Sequence, residues 1–201
     1  MQLLISPASP FVRKVRVLLR ETDLLDQVEE VDVSTTPLAS DPTVLAANPT
    51  GKIPALVRGD GPAIYDSRVI TRFLNDYADA GLYPSHSVWE ILTLEATADA
   101  IMEAAVAMRY EKRLRPDAQQ SADWIEAQWG TARRAIAAIN NRWMSHLAGP
   151  LHIGQIGVAC ALSYVDLRHD DRGWRNGNAA LAEWHKDFAA RDSMKATKVD
   201  G

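Results

Sequence analysis

The sequence holds one cysteine, Cys160, so no disulfide can form within the 201 residues and nothing argues for export. It also lacks an uninterrupted apolar run long enough to span a bilayer as a helix. The opening Met1-Gln2-Leu3-Leu4-Ile5-Ser6-Pro7 has neither the basic stretch nor the long apolar stretch of a secretory leader. Positive charge is not in excess: 22 Lys and Arg stand against 26 Asp and Glu, a formal net charge of −4. That balance offers no broad basic face to nucleic acid. The five histidines show no metal-ligand spacing. Together these absences predict a cytoplasmic protein with no membrane segment, no nucleic-acid partner and no metal. What remains is ordinary globular composition, 47% hydrophobic and 24% charged, enough to bury a core in one large or two small domains.

The first part of the chain mixes strands with helices. Gln2 to Ile5 reads as a short strand, and Ser9-Pro10 opens a helix with Phe11, Val12, Val15, Leu18 and Leu19 at helical spacing. Val28 to Val33 alternates apolar and acidic residues, as a strand with one wet face does. Ser34 to Thr50 is polar and proline-rich, a loop with a short irregular helix. Ala55-Leu56-Val57 is a strand, Arg58 to Pro62 a turn, and Ala63-Ile64-Tyr65 its hairpin partner. Asp66-Ser67 caps a helix whose apolar face is Val69, Ile70, Phe73, Leu74 and Tyr77. The order β-α-β-α-β-β-α, a parallel crossover followed by an antiparallel hairpin and a helix, is the thioredoxin-like arrangement.

Beyond a linker at Asp79 to Pro84 the strand signals stop. Trp89 to Leu114 is an alanine-rich helix ended by Pro116. A second long helix carries Trp124, Ile125, Gln128, Trp129, Ala132, Ile136, Ile139, Trp143 and Leu147 as one stripe, read as core, and stops at Gly149-Pro150. Ile153 to Arg168 is a third, largely apolar helix. His169 to Arg172 reads as a solvated loop, and Leu181, Trp184 and Phe188 mark a last helix. The expected domains are residues 1–78, α/β, and 86–201, all-helical.

Four segments resemble the glutathione transferase family. Ser9-Pro10-Phe11-Val12-Arg13-Lys14-Val15 is similar to the active-site helix start of its bacterial Ser- and Cys-type (omega/zeta/beta-like) members. Asn48-Pro49-Thr50-Gly51-Lys52-Ile53-Pro54-Ala55-Leu56 is similar to N-P-x-G-x-[IV]-P-x-L. Tyr65-Asp66-Ser67-Arg68-Val69-Ile70 is similar to the [ED]-S-x-x-I helix start. Trp174-Arg175 and the run from Ala189 to Thr197 resemble the C-terminal tail of one bacterial subgroup. The four lie in register along nearly the whole chain. The resemblance implies a thioredoxin-like N-terminal domain, an all-helical glutathione-transferase C-terminal domain, glutathione as co-substrate, a small electrophile as second substrate, and a homodimer. One departure stands out. The family's buried C-terminal helix opens on a Ser/Thr-x-x-Asp capping box, and here the positions hold His152 and Gln155, of which His is the poorer cap.

Ser9 is the candidate catalytic residue. As a plain N-cap before Pro10 it needs no further role. The same geometry also lets its hydroxyl donate to a sulfur anion at the positive end of a helix. A cysteine-type thiol ionises near about 8.5, and bringing that to about 6.5 requires about 2.7 kcal/mol of preference for thiolate. A hydrogen bond to a charged group supplies about 1.5–3 kcal/mol and a favourable helix end up to about 2 kcal/mol, so no general base is required. A serine here excludes mixed-disulfide chemistry through an enzyme sulfur, and Cys160 reads as a buried small hydrophobe.

The resemblance implies a cis Ile53-Pro54 bond, with the Ile53 backbone pairing glutathione's cysteinyl unit as an added strand. It further implies that Ser67 binds the γ-glutamyl carboxylate at a helix start, with Asp66 facing the α-amino group and Lys52 near the glycine carboxylate. Plain helix capping explains Asp66 and Ser67 as well, and an exposed loop explains Lys52. For the second substrate the candidates are Phe11, Met108, Arg109 and Tyr110, residue types found more often in cores than in pockets. Two other functions fit the fold: a carrier of glutathione or apolar ligands without turnover, and a regulatory interaction module like the stringent-starvation-type relatives that contact RNA polymerase. A regulatory module has no use for the Asp66-Ser67 pair.

Overall fold

Strand β1, Gln2–Ile5, buries Leu3, Leu4 and Ile5 at the centre of a three-stranded sheet. It pairs in parallel with β2, Glu29–Asp32, and antiparallel with β3, Ala55–Val57, in the order β2-β1-β3. The computed structural model describes residues 1–199. Helix α1, Pro10–Glu21, links β1 to β2 and buries Val12, Val15, Val17, Leu18 and Leu19. Helix α2, Pro42–Ala47, is the short irregular helix, and α3, Ser67–Ala78, closes the motif. This is the thioredoxin-like arrangement expected.

The fourth strand is reduced to a single bridge. Leu56 and Ile64 exchange both backbone hydrogen bonds at 2.9 Å, but no ladder extends from them. In antiparallel register the next hydrogen-bonded pairs would be Pro54 with Asp66 and Arg58 with Pro62. Each contains a proline without an N–H, so the ladder stops on both sides. The Pro62 carbonyl instead accepts from the Arg58 guanidinium at 3.2–3.3 Å. The buried face of α3 also departs from expectation. It is Ser67, Ile70, Thr71, Leu74 and Asn75, while Val69 and Tyr77 are about half exposed, at 51% and 54%.

The remaining helices are α4, Val88–Leu114; α5, Ala122–Arg142; α6, Met144–Leu147; α7, Ile153–His169; α8, Ala179–Ala189; and α9, Asp192–Ala196. The long second helix ends at Arg142 rather than at Gly149, because Trp143 leaves helical geometry (φ −117°, ψ 2°) before α6 resumes. Its core stripe is narrower than predicted: Ile125, Ala132, Ile136 and Ile139 are buried, but Trp124 is 49% exposed. His169 is not solvated. It is buried, with Nε2 2.9 Å from the Ala105 carbonyl oxygen, so it ties α7 to α4. Helix α7 has a complete capping box: His152 Nδ1 accepts from the Gln155 N–H at 3.3 Å, and Gln155 Oε1 accepts from the His152 N–H at 2.9 Å. Trp174 and Arg175 hold a shared carboxylate, Asp166, through Nε1 at 2.7 Å and a two-pronged guanidinium pair at 2.6 and 2.7 Å.

The chain divides into two compact units, Met1–Pro84 with Asp192–Val199, and Ser85–Arg191. The boundary expected at residues 86–201 is therefore corrected at its far end, because α9 belongs with the first unit. Arg13 of α1 donates to the Met194 carbonyl at 3.0 Å and to Thr197 Oγ1 at 3.3 Å, and Ser193 donates to Glu21. Thr197 is fully buried. Among the described residues no helix is long and apolar enough to cross a membrane.

Candidate functional site

Ser9 sits where β1 hands over to α1. Its backbone is extended (φ −77°, ψ 125°), and its Oγ accepts from the Val12 N–H at 3.3 Å. Pro10 takes the first helical position, and the first turn carries no acidic residue to offset the positive helix end. The hydroxyl is half-buried, and among the described residues its proton is given to no acceptor. Ser9 is thus both cap and uncommitted donor.

The loop before β3 is built on Asn48. This side chain is 2% exposed; its amide donates to the Lys52 carbonyl at 2.8 Å and its oxygen accepts from Thr50 N–H and Oγ1 at 3.0 and 2.9 Å. Gly51 turns the loop at φ +69°, where any Cβ would also stand 3.0 Å from Ser40 Oγ. The Ile53-Pro54 bond is cis. Ile53 packs its side chain against Leu4, Val44 and Ala55, and among the described residues its N–H and C=O pair with no other backbone group. Lys52 is exposed. Asn48→Ala would strip three hydrogen bonds from this loop, and a loss of about 2–3 kcal/mol in denaturant unfolding is expected. Asn48→Asp keeps the two acceptor bonds and is expected to lose less.

Asp66 caps α3, accepting from the Arg68 N–H at 3.0 Å, with the Arg68 guanidinium at 3.3 Å. Partial burial opposes its ionisation, but the Arg68 hydrogen bonds and charge outweigh this. With a smaller contribution from Lys14, they hold the carboxyl below its ordinary value. Ser67 is the first residue of α3 and only 3% exposed, yet among the described residues neither its hydroxyl nor its N–H has a partner. A helix N-terminus with two open donors beside a fixed carboxylate suits a ligand end that carries both a carboxylate and an ammonium. Of the second-substrate candidates, Phe11, Arg109 and Tyr110 are half-buried and Met108 is fully buried.

Residues 8–76 match the family model "Glutathione S-transferase, N-terminal domain", and residues 122–187 match "Glutathione S-transferase, C-terminal domain". A glutathione transferase family member from Pseudomonas fluorescens Pf-5, solved with bound glutathione, is 40% identical, covers 100% of this chain and 99% of its own, and superposes with a TM-score of 0.93. The chain belongs to the glutathione S-transferase family. A glutathione S-transferase from Methylobacillus flagellatus KT, also solved with glutathione, is 31% identical over 99% of both chains, with a TM-score of 0.85. Among curated relatives, an uncharacterised GST-like protein of Escherichia coli K12, YibF, is 29% identical over 98% of each chain.

Two contributors to this candidate site escaped the sequence reading. Asn48 passed as the first letter of a motif, although a buried amide with three local bonds is what shapes the Lys52–Ile53 loop. Lys14 is fully buried and acts electrostatically on Asp66. A lysine inside an otherwise apolar helical stripe was the signal available for it.

Proposed function

We propose that this protein is a glutathione transferase in the chemical sense: it binds glutathione, favours its thiolate and directs the sulfur at a small electrophile. The observation that carries the reading is Ser67, nearly inaccessible yet with its hydroxyl and N–H both open at the α3 N-terminus beside ionised Asp66. The γ-glutamyl carboxylate takes the Ser67 donors and the α-amino group takes Asp66. The open Ile53 backbone pairs with the cysteinyl unit, Pro54 fixes that turn, and Lys52 reaches the glycine carboxylate. The structures from P. fluorescens and M. flagellatus hold glutathione, and the P. fluorescens protein has also been solved with S-(propanoic acid)-glutathione.

Catalysis rests on Ser9, whose free proton is donated to the thiolate while the α1 terminus adds positive potential. No metal enters this mechanism. Phe11, two positions beyond Ser9 on α1, is the contact for the second substrate on this unit, and buried Met108 supports α4. The protein acts as a homodimer in the cytoplasm, with detoxification as the role such chemistry serves. Titration calorimetry of glutathione against wild type and Ser67→Ala tests the reading. Binding in the micromolar-to-millimolar range, weakened about tenfold or more by the substitution, is expected. No binding to wild type would move the protein to the regulatory-module reading.

A further inference from the structure

Helix α1 is tied near both ends to a segment far along the chain. Arg13 lies in its first turn. The Arg13 N–H donates to the Ser9 carbonyl at 3.0 Å, so this residue closes the turn that carries the Ser9 hydroxyl. Its half-buried guanidinium donates from Nη2 to the Met194 carbonyl at 3.0 Å and from Nε to Thr197 Oγ1 at 3.3 Å. Glu21, the last residue of α1, accepts from the Ser193 hydroxyl. Ser193 thus meets the end of α1 and Thr197 meets its start, so α9 runs antiparallel along α1 as a splint. The Thr197 hydroxyl also donates to the Ser193 carbonyl at 2.9 Å, which joins the two points of attachment. Ser193, Met194 and Thr197 are all buried, and they belong to the same compact unit as α1.

Helix α1 buries Val12, Val15, Leu18 and Leu19, but apolar packing is non-directional and fixes the depth of a helix better than its rotation. The cap at Ser9 is a single 3.3 Å bond from the Val12 N–H. A hydroxyl that must face a sulfur anion has to be aimed in advance, because a donor that reorganises during the reaction gives up much of its effect. The planar fork of Arg13 supplies direction: two bonds to two acceptors fix the rotation of the turn in which Ser9 sits. Among the described residues no hydrogen bond joins α9 to Ser9 itself, so the path from α9 to Ser9 runs through Arg13.

We propose that Arg13 is a positioning residue for the glutathione thiolate: bonded to the α9 segment, it fixes the first turn of α1 so that the Ser9 hydroxyl faces the sulfur. The inference rests on the reading of Ser9 as the donor to the thiolate. Met194 and Thr197 thereby influence a hydroxyl to which neither is bonded.

The ultraviolet absorbance of bound glutathione thiolate, followed against pH in the full chain, tests this, with calorimetry of glutathione and denaturant unfolding run on each variant. In Arg13→Met the thiol is expected to titrate about one pH unit higher than in wild type, with glutathione bound as tightly as before. Arg13→Lys, which keeps a donor but not the fork, should recover part of the difference. Added to Ser9→Ala, Arg13→Met should move the titration no further, because its effect passes through the Ser9 hydroxyl. If Arg13→Met does not fold, Thr197→Val, which leaves Arg13 in place, is measured instead and is expected to shift the titration the same way by less. A thiol that titrates as in wild type in the variant so measured, or an equal further shift in the Ser9→Ala background, overturns the positioning role and leaves the transferase reading intact. A Ser9→Ala thiol that titrates as in wild type removes the donor reading, and this inference with it. Failure of glutathione to bind wild type overturns the transferase reading as a whole.

Discussion

In Ser9→Ala the thiol of bound glutathione is expected to titrate higher than in wild type by the strength of one charge-assisted hydrogen bond, with only the α1 terminus left to favour the thiolate. That bond is worth about 1.5–3 kcal/mol, so thiolate at neutral pH, and with it kcat/KM, should fall between about tenfold and about 150-fold. The ultraviolet absorbance of the bound thiolate, followed against pH, reads the ionisation directly. The rate deficit should close as pH rises past the free thiol's value, because there the sulfur ionises unaided. Glutathione affinity should change little, which separates Ser9 from Ser67. A variant whose thiol titrates as in wild type would leave Ser9 only its cap at Val12. The substitution removes that cap too, at a cost of about 1 kcal/mol in stability, so unfolding must be measured in parallel.

Gln155→Ala should be the most destabilising single change on α7. The buried amide of Gln155 donates to the Leu147 and Gly149 carbonyls at 2.8 and 3.1 Å while its oxygen accepts from the His152 N–H. Losing all three bonds is expected to cost about 3 kcal/mol in denaturant unfolding. The same cap makes stability depend on pH. Burial lowers the His152 pKa below 6.5, and the bonding explains why the neutral ring is preferred: Nδ1 accepts from Gln155 N–H while Nε2 lies 3.2 Å from the His146 carbonyl oxygen. His169 is lowered by burial as well. For both residues the unfolded chain binds the proton more readily than the folded one. Stability is therefore complete above about pH 6.5 and declines as pH falls below it. His152→Ser keeps an acceptor at the cap and should flatten part of that decline. An unchanged acid slope in this variant would remove His152 from the effect.

Legibility in the sequence followed the range of the forces involved. Ser9-Pro10 and Asp66-Ser67 could be read because a helix cap is fixed within three residues. The parallel β1–β2 pair could be read because a strand-helix-strand order allows little else. The hairpin partner at Ile64 was placed correctly but made too long, since only the pairing register reveals that Pro54 and Pro62 occupy the next ladder positions. The tryptophan stripe misled because Trp124 lies one position off the spacing of Ile125, Ala132 and Ile139. His152 looked a poor cap by residue type, yet the ring nitrogen does the work of a hydroxyl once burial keeps it neutral. At the candidate site, donors announced themselves by motif, while the roles of Asn48 and Lys14 became plain once their burial was known. The tail match from Ala189 to Thr197 was legible as a resemblance but carried no address; its contact with Arg13 spans 184 positions of chain.

That long-range contact sets an order of events during synthesis. Since Asp192–Val199 belongs to the same unit as Met1–Pro84, the helical unit is, in chain terms, an insertion into the first. A ribosome releases residues 1–84 early, but the partners of Arg13 and Glu21 emerge only after more than a hundred further residues. The first unit to begin folding is thus completed only after the helical unit has emerged, and the helix bearing Ser9 gains its contacts with α9 late.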